Sequence, residues 1–439
     1  MPVRTDFDFV PHEVRAILSA VHGAGFQVWL VGGALRDFFL GLPPKDWDLA
    51  TTASGETIMG MFPKVIPVGL QHGTVTVHRE GGGVEVTCLG SLEGLSMEED
   101  LERRDFTFNA MALLYPTGEL LDPFMGMRDL QGRTVRAVVN PHRRFREDPA
   151  RILRAARFME SLQFKMDPRT RAGVPSGLPG LGEVAAERVR DEMLRILSAR
   201  KASRALDWLR RVGALDRVMP ELAESYRKRG SSRPHMSLYE QSLLTVDMCP
   251  CPLPVRLAAV MGQLGKGRTR RMARGGGRAG EDWRQEGARM AVKIMERWRM
   301  PKRDIKRVEA VIARQLTPQA VYWSRPRMRK ALARLEREEV QDVMDLVLAR
   351  AAALKRHERE RRALREKMKN LLESDPPLRT RDLRLTGQDV MRLLNLKPGP
   401  MVGKVLQKMH EQVLKNPSLN HPEHLEILMK KMFLKVSAP

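Results

Sequence analysis

The sequence predicts an α+β chain, with a mixed sheet-and-helix head followed by all-α neck, body and tail segments. Three observations lead there. Short strand-like runs, punctuated by glycines and one helical stretch after another, fill the first 140 residues. From Asp148 onward apolar residues recur almost everywhere at three- and four-residue spacing, the helical period. The charge divides at about the same place. Residues 1–140 hold eleven Lys/Arg against eighteen Asp/Glu, a net of −7, and the remainder carries +30 within an overall +23.

The elements can be read in order. Residues 11–24 form an amphipathic helix, and Val28–Val31 a short apolar strand that ends at Gly32-Gly33. A helical run from Ala34 to Leu40 closes at Gly41. Asp46–Ala50 reads as a second strand, and Thr74–His78 and Val84–Thr87 as two more around the turn-like Gly81-Gly82-Gly83. Helices follow at Ala150–Leu162, Val184–Leu197 and Ala202–Val212. Two segments interrupt them: the Pro/Gly-rich Val174–Gly182, and the basic Gly/Arg stretch Gly265–Gly280, expected to be a mobile loop. Residues 349–368 are a charged helical run, open to two readings, a solvated face or an RNA contact.

Composition narrows the function. At about 150 residues per domain, 439 residues suggest about three units. A net charge of +23 calls for a polyanionic partner, nucleic acid before an anionic membrane. Cys88, Cys249 and Cys251 cannot build a disulfide framework, and Cys249-Pro250-Cys251 is tighter than the usual spacing of a zinc ligand pair. No signal-peptide core opens the chain and no apolar run reaches 18 residues, so a soluble, cytoplasmic protein is expected, with no membrane partner.

One constellation carries chemistry. Asp46 and Asp48, two apart on the expected strand, would share a face, and paired carboxylates suit Mg²⁺. Such a pair is weak evidence by itself. Upstream, however, Gly32-Gly33 lies at a strand-to-helix turn whose amides can approach a triphosphate, and Arg36 follows within reach of a phosphate oxygen.

The stretch Leu30-Val31-Gly32-Gly33-Ala34-Leu35-Arg36-Asp37 with Asp46-Trp47-Asp48-Leu49-Ala50-Thr51 resembles the first motif of the class II tRNA nucleotidyltransferases, a branch of the polymerase-β-like enzymes that includes bacterial poly(A) polymerases. Further segments resemble the family's motifs in order: Arg103–Ala110, Asp122–Leu130, Glu147–Phe158 and Glu187-Arg188. Leu385–Asp389 and Lys397–Pro400 are similar to its C-terminal helices.

The resemblance implies a reaction and a set of roles. Two metals on Asp46 and Asp48 would activate an RNA 3′-hydroxyl and neutralise pyrophosphate, with Glu85 as a third carboxylate. Arg104 and Asp105 would hold the nucleotide's phosphates or sugar. Asp148 would accept from cytosine's amine while Arg151 donates to N3 and O2, and Arg154 and Arg157 would lie near the phosphates. Asp148, Arg151, Arg154 and Arg157 recur every three residues, as on one broad helix face. The partners implied are tRNA, CTP and, for a full CCA product, ATP.

Two local features bear on the product. Gly69–Val75 resembles tRNA-specific members. The ten residues Cys88–Met97 are fewer than full CCA-adding members carry between strand and helix. That shortening resembles the CC-adding branch, which stops after two cytidines and leaves the adenosine to a separate enzyme. The expected function is therefore CC addition. The alternatives are full CCA addition, poly(A) synthesis, or RNA binding on a dead scaffold. Residues 234–288 resemble a degenerate HD phosphohydrolase region, with Gln241 and Gly262-Gln263 standing where metal ligands would be. The expected parts are a head at 1–140, a base-reading neck at 141–200, a body at 201–348 and a basic, tRNA-binding tail at 349–439.

Overall fold

The computed structural model describes residues 5–67, 73–79, 82–92, 95–226, 236–250, 252–267, 283–355, 358–374 and 376–434. Helix α1 (His12–Gly23) buries Val14, Ile17, Leu18 and Val21 on one face and leads into β1 (Val28–Val31), which is buried along its whole length. Then come α2 (Gly33–Phe39), β2 (Asp48–Thr51), α3 (Gly55–Met61), β3 (Val65–Pro67), β4 (Thr74–Arg79) and β5 (Gly82–Cys88). After α4 (Met97–Glu102) the chain forms β6 (Ala112–Tyr115), β7 (Glu119–Leu121), α5 (Gly126–Gln131), β8 (Thr134–Val135), α6 (Pro141–Glu147), α7 (Arg151–Ser161), β9 (Lys165–Met166) and α8 (Pro168–Gly173).

Seven strands make one sheet in the order β3-β4-β5-β2-β1-β6-β7, and β8 and β9 pair separately. Within the large sheet only β2 and β5 run parallel; every other neighbouring pair is antiparallel. That single parallel pair needs a crossover, which α3, β3 and β4 supply. Each strand shows why it lies where it does. The buried Val-Trp-Leu-Val of β1 suits the sheet's interior, whereas β4 and β5 alternate buried and exposed residues, as strands with one wet face do.

Local chemistry closes the helices. The Ser54 hydroxyl accepts from the Thr57 amide at the start of α3. Ser96 and Glu99 form a reciprocal capping box on α4. Asn140 caps α6, with Pro141 in its first turn. Helix α7 has a regular pattern in which Arg151, Arg154 and Arg157 are half-exposed and the two residues after each are buried.

The structure corrects several expectations. Strand β2 begins at Asp48, so Asp46 lies outside it on an irregular, exposed stretch. Strands β3, β6 and β7 escaped the sequence reading. Val174–Gly182 contains two short 3-10 turns, Val174–Ser176 and Pro179–Gly182. The run 349–368 is no single helix: one helix spans Arg337–Ala353, Lys355 takes a positive φ of 49°, and another helix spans Glu358–Glu373. The Gly/Arg stretch from residue 268 onward, and residues 69–72 of the Gly69–Val75 motif, lie outside the described residues.

By compactness the chain divides in two. One unit is Met1–Ala185 with Trp208–Arg217, and the other is Ala186–Asp207 with Val218–Pro439. The second unit is helical. In it Arg256 is buried and donates to the Cys249 carbonyl, and the final helices enclose a small core of Val390, Val405, Met409, Val413 and Leu425. Among the described residues no helix is long and apolar enough to cross a membrane.

Candidate active site

The site begins where β1 ends. In the sheet, Asp48 lies between Val31 on β1 and Glu85 on β5. The chain leaves Val31 through Gly32, whose φ of 74° favours glycine. Space makes the same demand. A Cβ on Gly32 would stand 2.9 Å from Asp48 Oδ2 and 3.1 Å from Arg104 Nη1. Backbone, carboxylate and guanidinium thus meet at one point, as a site for a charged ligand requires.

Electrostatics ties the carboxylates together. Burial pushes Asp48 up to about 6; Arg104 and Arg36 pull against that, while Glu85 and Asp46 add to it as like charges. Glu85 is exposed, beside Asp48 in register. Among the described residues no three carboxylate, imidazole or thiol groups are gathered closely enough to ligate an ion alone. Magnesium does not need that, since it is commonly held by one or two carboxylates plus substrate phosphates. A half-buried carboxylate crowded by two others is a donor set that a cation relieves, so Asp46 and Asp48 fit Mg²⁺.

The second half of the site lies on segment 103–109 and α7. Asp105 is buried and accepts from the Phe106 amide (2.8 Å), Asn109 Nδ2 (2.9 Å), and Nε and Nη2 of Arg154 (2.7 Å each). Burial alone would raise its pKa, but Arg154, Asn109 and the Phe106 amide together hold it below the usual aspartate range. With four donors in place, Asp105 anchors Arg154, which differs from the direct nucleotide contact the sequence suggested. Arg36 differs similarly. Its fork donates to Asp37 (2.8 Å) and Asn109 Oδ1 (2.9 Å), and its guanidinium lies 5.0 Å from the centre of the Phe158 ring. Arg154 and Arg157 lie over that ring too, at 5.8 and 4.0 Å. Arg104 pairs with Asp100 at 3.1 Å while facing Asp48.

Asp148 and Arg151 sit at the start of α7. Asp148 ends α6 with extended backbone (φ −142°, ψ 94°), so it lies in the break between two helices and not on the helix face of the three arginines. Its Oδ1 accepts from the Ala150 amide at 3.2 Å. Arg151 donates to the carbonyls of Arg103 (2.7 Å) and Arg144 (3.2 Å). The structure therefore gathers Gly32, Asp48, Glu85 and Arg104 at the sheet, and Asp105, Arg154 and Arg157 at α7, with Arg36 between them.

Comparison with known proteins follows the same order along the chain. Residues 28–136 match the family model of the poly A polymerase head domain. Residues 163–226 match one described as a probable RNA and SrmB-binding site of polymerase A. Residues 287–428 match one described as a putative tRNA nucleotidyltransferase domain 2. The CCA-adding enzyme of Geobacillus stearothermophilus is 39% identical over 224 residues, 48% of this chain and about half, 55%, of that protein. That of Leuconostoc mesenteroides subsp. mesenteroides is 28% identical over 440 residues, covering 95% of this chain and 96% of that one. The crystal structure of the Bacillus stearothermophilus CCA-adding enzyme in complex with CTP is 27% identical, with a TM-score of 0.72 over 97% of this chain and 98% of that one. In chain order and along most of its length the chain is similar to the CCA-adding enzymes. The relatives named here are CCA-adding enzymes, and nothing in them points to the CC-adding branch in particular.

Parts of these motifs serve as scaffolding. Asp122 accepts from the amides of Gly126 (2.6 Å) and Met127 (2.9 Å), which starts α5. A Cβ on Gly126 would lie 2.4 Å from the Thr107 carbonyl oxygen. Buried Asp129 accepts from Thr107 (2.7 Å) and from Arg136, which also reaches Asp167 at 2.7 Å. So the Asp122–Leu130 motif braces segment 103–109. Asn109 and Phe158, which make contacts with Arg36 in this cluster, were not singled out from the sequence, although both stand inside quoted motifs, Asn109 four residues after Asp105. In the second unit Gln241 and Gln263 are both buried, and Lys266 donates to Gln263 at 3.1 Å. Burial pushes the Cys88 thiol up to about 11 and the Cys249 thiol to about 12, away from the thiolate form.

Proposed function

We propose that this protein is a tRNA nucleotidyltransferase that builds the 3′ end of tRNA without a template, adding two cytidines from CTP and then an adenosine from ATP. One observation carries the reading: a continuous set of contacts joins the acidic edge of the sheet to α7, through Gly32, Asp48 and Arg104 and then Asp105 and Arg154. The RNA 3′-oxygen would bond to the α-phosphorus, the bond to the bridging oxygen would break, and pyrophosphate would leave. Asp46 and Asp48 would hold Mg²⁺, which would supply charge neutralisation for the leaving pyrophosphate and acidify the attacking hydroxyl. Glu85 deepens the negative edge beside Asp48. Gly32 and Gly33 let the triphosphate approach the backbone, and Arg104 offers it a cation.

Asp148 accepts from the cytosine amine, and Arg151 turns one nitrogen from a carbonyl to the base. Uracil presents the wrong polarity to Asp148 and leaves buried groups unpaired. The four parts, head, neck, body and tail, are the proposed working divisions, with tRNA lying along the basic ones. Gln241 and Gln263 make the HD-like region a structural element without phosphohydrolase activity.

The CCA product is favoured by the relatives, two of which match along their whole length. A second reading, addition of two cytidines only, is favoured by the short connection between β5 and α4. Its described part is docked down. Leu89 is buried, Ser91 Oγ accepts from the Gly55 amide at 2.7 Å, and a Cβ on Gly90 would lie 2.4 Å from the Thr52 carbonyl oxygen. Such a segment is a poor lever for reshaping a base pocket. The test is a tRNA lacking its last three nucleotides, given CTP, ATP or both, with products sized. Three additions are expected. A stop after two supports the second reading, and long adenosine tails would overturn both. Asp46→Ala should remove incorporation and keep tRNA binding; retained incorporation would overturn the metal assignment.

A further inference from the structure

Segment 103–109 ties the phosphate end of the site to the base end. On one side, Arg36 Nη1 donates to Asn109 Oδ1 at 2.9 Å, and Arg36 follows the Gly32-Gly33 turn. On the other, Asn109 Nδ2 donates to Asp105 Oδ1 at 2.9 Å, and Asp105 Oδ2 holds Arg154 through two 2.7 Å contacts. Asn109 is buried, and its amide uses an acceptor toward one element and a donor toward the other. No other side chain of that size does both. Aspartate lacks the donor, and leucine lacks both functions. The ring of Phe158 completes the arrangement, with Arg36, Arg154 and Arg157 around it.

We propose that Asn109 is a positioning residue that holds α7 in register with the Gly32-Gly33 turn, and that this register sets discrimination between nucleotides. The inference rests on α7 being the base-reading helix, as proposed above. Its physical basis is that a protein side chain rejects a wrong base only if it cannot move to repair the unpaired group. Arg154 is fixed through Asp105, and Arg151, one turn earlier, is held on the carbonyls of Arg103 and Arg144. If Asn109 is lost, Asp105 keeps Arg154 but loses its link to Arg36. Helix α7 can then shift against the turn, and a mismatched base finds partners that the native site withholds.

The test compares wild type, Asn109→Ala and the near-isosteric Asn109→Asp. For each, kcat and KM for CTP and for UTP are measured on tRNA lacking its last three nucleotides, with tRNA affinity and the thermal midpoint alongside. Assays run at a fixed interval below each protein's own midpoint. The preference for CTP over UTP should fall by about tenfold in both variants, mostly through KM, with tRNA affinity unchanged. Asn109→Asp keeps the volume and the Arg36 contact while setting a carboxylate against Asp105, so it reports the broken link even if Asn109→Ala folds poorly. A uniform fall in rate with the preference intact, in whichever variant folds, would overturn the proposal, and so would two variants that never fold, since Asn109 would then serve stability alone. If the wild type itself adds no cytidine, the proposed function fails instead.

Discussion

Asp105 is a carboxylate removed from water and stabilised as an anion by four donors. Its folded pKa lies below its ordinary value of 3.8, because Arg154, Asn109 and the Phe106 amide outweigh the burial that would raise it. The sign follows. A depressed carboxylate contributes stability that is present above the unfolded-state pKa and lost as pH falls through the folded one. Denaturant unfolding followed from pH 7 downward should therefore show wild type losing stability below about pH 4. Asp105→Asn should begin about 3 kcal/mol less stable at neutral pH, since it leaves Arg154 without its charge partner, and should show a shallower acid limb. An unchanged acid limb would exclude the assignment. The identity of this residue was legible in the sequence, where Arg103–Ala110 stood out as a motif. Its role was not, because the motif does not say that Arg154, 49 positions later, consumes its lone pairs.

Elements were legible where one period dominated. The apolar run Val28–Val31, the alternation in β4 and β5, and the three-residue recurrence of arginine in α7 each survive into the structure with small changes at their ends. Asp46 shows the limit. Period two would set it beside Asp48 only within a strand, and pairing with β1 and β5 starts at Asp48. Strand β6 was missed because its pairing partner β1 is far away in sequence, and β7, which pairs only with β6, is three residues long and too short to show a period. Joints between elements rest on buried charge. Arg136 is shared by Asp129 and Asp167, both buried, and so links α5 to the start of α8. Arg136→Met should cost about 1–3 kcal/mol by urea unfolding, since it removes the charge partner of two buried carboxylates that keep only the Thr107 and Thr170 donors. A loss below about 1 kcal/mol would mean that water reaches them instead.

At the scale of the molecule, charge and shape separate. The net −7 of the first 140 residues and the +30 of the rest set an acidic front against a strongly basic remainder, the distribution that the proposed metal-using head and polyanion-binding remainder call for. Binding of tRNA should therefore weaken by at least about tenfold between 50 and 200 mM NaCl, while KM for CTP changes much less. A flat salt response would argue against extensive phosphate contact. The chain's compact division cuts elsewhere than the charge does: residues up to Ala185 group together, and Trp208–Arg217 joins them across an intervening stretch of the other unit.

The sequence by itself determined the acidic pair, the glycine turn, the arginine-bearing helix and the family they resemble, because those depend on residue type and short spacing. Only the tertiary structure decided that Asp46 stands outside the strand, that Asp148 lies in a helix break, and that buried Asp105 and Asn109 link to half-buried Arg36. Hydrogen bonds between distant residues satisfy buried donors and acceptors, and which pairs meet is fixed by packing and not by local pattern.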